Sequence, residues 1–172
     1  MKNRDLIENT RKKVISSFRE LTEAWKEDML SSECSFCITD SPAATRDQFL
    51  SAVLSIYPRP ESLLDVEREG LDLSVLFSQK VYTDKDGGTI FTSNVKKLEN
   101  GDWDLGEQFF VSVDICNTDG GMIHERELGL IKLRDHVDLE AKLSQTVLEI
   151  SEYFHSKREL IFDSIESLNK ST

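Results

Sequence analysis

The C-terminal segment carries the pattern that most limits the folds open to this chain. Leu143, Val147, Ile150, Phe154, Arg158, Ile161, Ile165 and Leu168 alternate steps of four and three, which lines side chains along one face of an α-helix. Only Arg158 interrupts the apolar character of the ridge. A helix over 137–168 is predicted, on the order of 48 Å long at the usual rise per residue. So long an apolar stripe cannot stay in water. It needs a layer of its own chain or a second subunit to lie against.

The other end of the chain offers a counterpart. Val14, Phe18, Leu21 and Trp25 step by four, three and four, predicting an amphipathic helix over 3–30. The two terminal helices are expected to pack antiparallel over one face of a sheet. Pairing of the C-terminal seam with a second copy is the alternative, and a homodimer is compatible with either. Tyr153, Leu160 and Phe162 lie off the strict seam and widen the apolar face, which suits packing within the chain.

Between these helices the apolar period drops to two. Leu71, Leu73, Val75 and Phe77 alternate with other residues, as do Phe109, Val111, Val113 and Ile115, each set reading as a strand with one buried face. Gly-containing turns at 83–88, Asn100-Gly101 and 117–121 leave no room for crossovers, so neighbouring strands are antiparallel. The expected sheet spans 62–133 as a meander of four strands, with a fifth at 62–68. Residues 31–44 read as a linker containing Pro42. Thr45 and Gln48 match a capping box, and the Phe49, Leu50, Val53, Leu54, Tyr57 set behind it predicts a short second helix over 45–57. The fold class is α+β, one domain over 1–172.

Charge narrows the partners. The net charge is −11, and residues 34–133 hold nine basic against seventeen acidic side chains, which disfavours nucleic acid and anionic membranes. No apolar run approaches a membrane span or a signal peptide. Three cysteines, an odd count, fit a reducing, cytoplasmic setting better than a disulfide framework.

Cys34 and Cys37 are the most pointed chemical feature. A zinc site needs four ligands, usually in two close pairs, and the second pair is missing. Only Cys116 and His124, brought over by a folded linker, could complete a set. Redox use would need a thiol at a helix N-terminus, so Cys34, Phe36, Cys37 and Ile38 are better read as an apolar patch tucked against the core. His124-Glu125 opens like a zincin motif, but Leu128 stands where its second histidine belongs. Phosphate loops and EF-hand spacing are absent, and no nucleophile pattern assigns a triad. No cofactor is implied.

What remains is a surface for binding. Trp103 between Asp102 and Asp104 reads either as a recognition tip or as a cap on the end of the sheet. Arg158 interrupts a seam otherwise fit for contact. In size, acidity and helix, sheet, helix order the chain is similar to small secretion chaperones and toxin-neutralising immunity proteins, a compositional likeness that covers no motif. The expected function is non-enzymatic protein binding or regulation, using an acidic sheet surface or the long C-terminal helix, with another protein of basic surface as partner. An enzyme or small-ligand binder with a pocket lined by Phe77, Phe109, Val111 and Val113 is the alternative.

Overall fold

The segment QFLSAVLSIY sits at the heart of the architecture, and it is a strand. In the computed structural model, which describes residues 2–28, 34–40, 48–58, 69–78, 80–82, 90–92, 96–133 and 138–170, Gln48–Tyr57 forms β2. It lies between β1 (Ser35–Thr39) and β3 (Leu71–Ser78), antiparallel to both. The short helix predicted over 45–57 is therefore corrected for its described part, and so is the linker predicted over 31–44, which contains β1. The reason lies in the spacing. Leu50 and Leu54 are four apart and fit either period, but Leu50, Ala52, Leu54 and Ile56 are all buried, and only a strand puts all four on one face. Pairing on both sides then outweighs a local capping signal.

The element order is α1 (Asn3–Trp25), β1, β2, β3, then two small hairpins, β4 (Lys80–Tyr82) with β5 (Ile90–Thr92) and β6 (Lys96–Lys97) with β7 (Trp103–Asp104). They are followed by β8 (Gln108–Asn117), β9 (Ile123–Lys132), α2 (Leu139–Ser156) and α3 (Arg158–Lys170). The main sheet runs β1-β2-β3-β8-β9, antiparallel throughout. The sheet has five strands, but two of them, β1 and β2, come from the segments read as linker and helix; residues 62–68, where a fifth strand is expected, lie outside the described residues. Tight reversals fall at Asn100-Gly101 and Asp119-Gly120, where both glycines have positive φ, the conformation such turns require.

The terminal helices do pack against each other within the chain, but they run in the same direction. Lys13 Nζ donates to Ser144 Oγ, Phe18 meets Phe154, and Asp28 pairs with Arg158. Numbers rise together along both helices, which corrects the antiparallel expectation. Strand parity explains it. An odd number of antiparallel strands returns the chain to the end of the sheet from which α1 started, so α2 must climb alongside α1. An even count would have reversed it.

The core lies between this helical layer and one sheet face. Val14, Phe18, Leu21 and Trp25 from α1 meet Leu143, Ile150, Phe154, Ile161 and Ile165 from α2 and α3, above Leu54, Leu73, Val75, Phe77, Phe109 and Ile115. Helix α1 ends at Trp25, short of the expected residue 30. The single helix predicted over 137–168 is broken at Lys157, whose φ of −98° and ψ of 12° leave the helical region. Ser156 Oγ donates to the Tyr153 carbonyl, a local side-chain bond of the kind that bends helices. Ile161 and Ile165 remain buried beyond the break, so the ridge still faces the core.

Candidate interaction surface

Strand β9, IHERELGLIK, forms one edge of the sheet, and its register decides what that edge presents. Glu125 aligns with Ile115, Glu127 with Val113, Gly129 with Val111 and Ile131 with Phe109. Those four residues of β8 face the helices, so β9 turns Glu125, Glu127 and Gly129 toward the helical layer where the inner strands carry buried apolar side chains. Arg126, Leu128, Leu130 and Lys132 face the opposite side. Among the described residues no strand pairs with the outer edge of β9.

A groove of about 140 Å³ runs between β9 and α2. Val111, Val113, Ile131 and Ile150 form its apolar floor, while Glu127, Glu149 and Tyr153 bring polar groups to it. Tyr153 Oη is buried and has no hydrogen-bond partner. Burial, followed by the fields of Glu125, Glu127 and Asp114, pushes its phenol well above the usual range. Lys157 Nζ lies 3.5 Å from Glu125 and over the Tyr153 ring. Among the described residues no cation pairs with Glu127. The groove is thus acidic at its rim and apolar at its base.

The opposite sheet face carries a polar band. Arg126 forms a bidentate pair with Asp114 at 2.8 and 3.2 Å, the stronger geometry for such pairs. Ser55 Oγ donates to Asp72 Oδ1 at 2.6 Å, and burial raises the Asp72 carboxyl above its ordinary value despite that bond. Burial also raises the Cys116 thiol, helped by Asp72 and Asp114, so this cysteine is no activated nucleophile. Leu128 and Leu130 are 38% and 43% exposed beside the band.

The residues singled out from the sequence fall elsewhere. Trp103 is half-buried, its ring against Phe49 and under Lys97, and its carbonyl accepts from Asn3 Nδ2 at 2.8 Å. Asp102 Oδ1 accepts from the backbone nitrogens of Arg4 and Trp103. These bonds, that from Arg4 first, hold its carboxyl below the usual range. Asp104 Oδ1 closes a turn onto Gly106 N. Arg158 pairs with Asp28 and stacks 4.4 Å over Phe162. All four thus have contacts inside the chain.

The zinc set is not brought together. Cys34 and Cys37 are an odd number of residues apart along an extended segment and point to opposite faces. Cys34, Phe36 and Ile38 pack on the core as expected, whereas Cys37 is exposed. Cys116 is three strands away from Cys37 in the sheet order, about 14 Å at the usual spacing. His124 Nε2 is 2.8 Å from Asn117 Oδ1. His136 lies outside the described residues. Among the described residues no group of three or more metal-ligating side chains converges, and no helix is long and apolar enough to cross a membrane.

The basic clusters do not converge either. Arg11 is bonded to Glu8 and the Asp40 carbonyl, Lys13 to Ser144, and Lys97 covers Trp103. The four residues expected to line a ligand pocket, Phe77, Phe109, Val111 and Val113, are buried in the core, the last two also forming the groove floor. No family model, curated protein or solved structure matches this chain.

Proposed function

We propose that this chain is a non-enzymatic protein-binding module whose contact surface is the β9 edge with the groove beside α2. The observation that carries this reading is the placement of Glu125 and Glu127 on the helix-facing side of an edge strand, next to exposed Leu128 and Leu130. A strand edge with unpaired backbone groups is a template for pairing, and flanking carboxylates favour a basic partner by steering and by selection against acidic ones. Clefts along the helices add recessed surface beside the edge: one between α1 and α2, lined by Leu6, Thr10, Lys13 and Leu143, holds about 230 Å³ and the β9 groove about 140 Å³.

The test compares capture from native cells by the wild-type chain and by a Glu127→Lys, Glu149→Lys variant. A protein held by the wild type alone, and released at about 0.5 M salt because exposed charges are then screened, is the expected outcome. Equal capture by both forms, unchanged by salt, would remove the acidic surface from the reading.

A further inference from the structure

We propose that β9 accepts an extended segment of a basic partner protein as a sixth strand, with side chains alternating between cationic toward the helices and apolar toward the opposite face. The proposal rests on the protein-binding reading above and specifies its mode.

The pleat dictates the alternation. A strand laid along the outer edge of β9 would sit about 4.8 Å away and project successive side chains to opposite faces. On the helix-facing side its neighbours are Glu125, Glu127, Gly129 and Ile131. Cationic side chains there meet Glu127, which no cation pairs with among the described residues, and Glu149 across the groove. At Gly129 the rim has no side chain, and a Cβ there would meet only the Val111 carbonyl, at 3.9 Å. The gap opens the way from the edge to the groove floor. A lysine or arginine entering opposite Gly129 would lay its methylenes on Val111, Val113 and Ile150 and bring its charged head between Glu127 and Glu149. On the other side, apolar residues would cover Leu128 and Leu130.

The edge is protected over only part of its length. Glu125, Arg126 and Glu127 bring charges to the first half, a device that discourages pairing, and Arg126 is already committed to Asp114. The following Leu128-Gly129-Leu130-Ile131 has none. A second copy of this chain suits the edge poorly, because it would bring a net charge of −11 and its own glutamates to an acidic groove. A segment rich in lysine or arginine is complementary.

The experiment selects peptides of about twelve residues from a random displayed library on the full-length chain, and reads amide hydrogen exchange on the chain with and without the enriched peptides. Enriched peptides should alternate Lys or Arg with apolar residues and should slow exchange in 123–132 selectively. N-methylation of alternate peptide nitrogens on the pairing edge should abolish binding, and the Glu127→Lys, Glu149→Lys variant should weaken it by at least about tenfold. Peptides that bind without protecting β9, peptides lacking basic alternation, or no enrichment overturn the proposal. So do slow exchange in β9 of the isolated chain and a dimeric mass by light scattering, which would put a second copy on the edge. If a cellular protein is captured and cross-links to α2 or to the polar sheet face instead, the strand-addition mode falls while the protein-binding reading stands.

Discussion

The carboxylate of Asp102 caps a helix from the other end of the chain: its Oδ1 accepts the backbone N–H of Arg4, ninety-eight positions earlier, at 2.7 Å. Helix α1 starts without a side-chain cap of its own, since Lys2 at the N-cap offers no acceptor. The first turn of a helix leaves N–H groups unsatisfied, and here the β6–β7 hairpin supplies the acceptor. Trp103 N also donates to that oxygen, at 2.8 Å, so one carboxylate ties the hairpin to the helix.

Asp102→Ala is therefore expected to lower the urea midpoint, while Asp102→Asn, which keeps an acceptor oxygen, should recover most of the loss. The pH dependence has a definite sign. A carboxyl held below its ordinary value of 3.8 contributes stability that is present above that value and lost as pH falls through its lower folded value. The wild type should lose stability in that acid window relative to Asp102→Asn. Parallel stability curves for the two down to pH 2 would contradict the cap.

Trp103 is expected to behave as part of the same closure. Its ring packs on Phe49, which in turn meets Phe77 and Phe109 in the core. Trp103→Ala should cost about 2–4 kcal/mol, somewhat less than a fully buried aromatic, as read by denaturant unfolding. A variant with unchanged stability would return Trp103 to the role of an exposed tip.

How much of this was readable beforehand depended on whether a residue's role was set by its near neighbours. The stripes of α1 and the C-terminal ridge were plain, because amphipathic helices announce themselves through spacing alone. Strands β3 and β8 were equally plain from Leu71 to Phe77 and from Phe109 to Ile115. Strand β2 was not, because Leu50 and Leu54 satisfy both periods and the pairing that decides between them comes from β1 and β3. The Asp102 cap had no local sign. Tyr153 reads from the sequence only as a widening of the ridge; that it lines a groove floored by Val111 and Val113 depends on the register of β9. The direction of α2 follows from the parity of the strands between it and α1, and that parity is not legible locally, because β1 reads as a linker and β2 as a helix.

Tyr153 yields a prediction about the free protein. Its buried Oη has no partner, and an unmet polar group of that kind costs on the order of 1–3 kcal/mol. Tyr153→Phe should thus raise stability, by about 1 kcal/mol once the retained ring packing is allowed for. Urea unfolding of the isolated chain is the measurement; a loss of stability would mean that the hydroxyl is already satisfied.

Asp72 should act in the direction opposite to Asp102. Burial raises its carboxyl above 3.8, and the Ser55 bond offsets this only in part. The folded state then binds its proton more readily than the unfolded state does, so this group's effect is least unfavourable below 3.8 and worsens as pH rises through its folded value. Asp72→Asn keeps the acceptor for Ser55 and removes the charge. It should stabilise the protein at pH 7 and make little difference near pH 3, the crossover being visible in melting curves across that range.

The same-direction packing of the terminal helices makes the strongest demand on the fold, and Phe18 and Phe154 report on it directly. Their ring centroids are 5.8 Å apart with planes inclined at 48°, within the range where aromatic pairs attract. Both are about fully buried, and truncation of either to alanine should cost roughly 3–5 kcal/mol. Because such losses threaten folding, the pairing is better measured with Phe18→Leu and Phe154→Leu, each costing about 1–1.5 kcal/mol. A double-mutant cycle should return a coupling of about 0.5–1.5 kcal/mol. Trp25 and Phe162, with centroids 5.7 Å apart nearer the other end of the helices, should couple similarly. Two couplings at matching heights require α1 and the C-terminal helices to climb together, because an antiparallel pair that brought Phe18 to Phe154 would carry Trp25 toward the start of α2 and away from Phe162. Coupling at the first pair and none at the second would therefore overturn the parity argument.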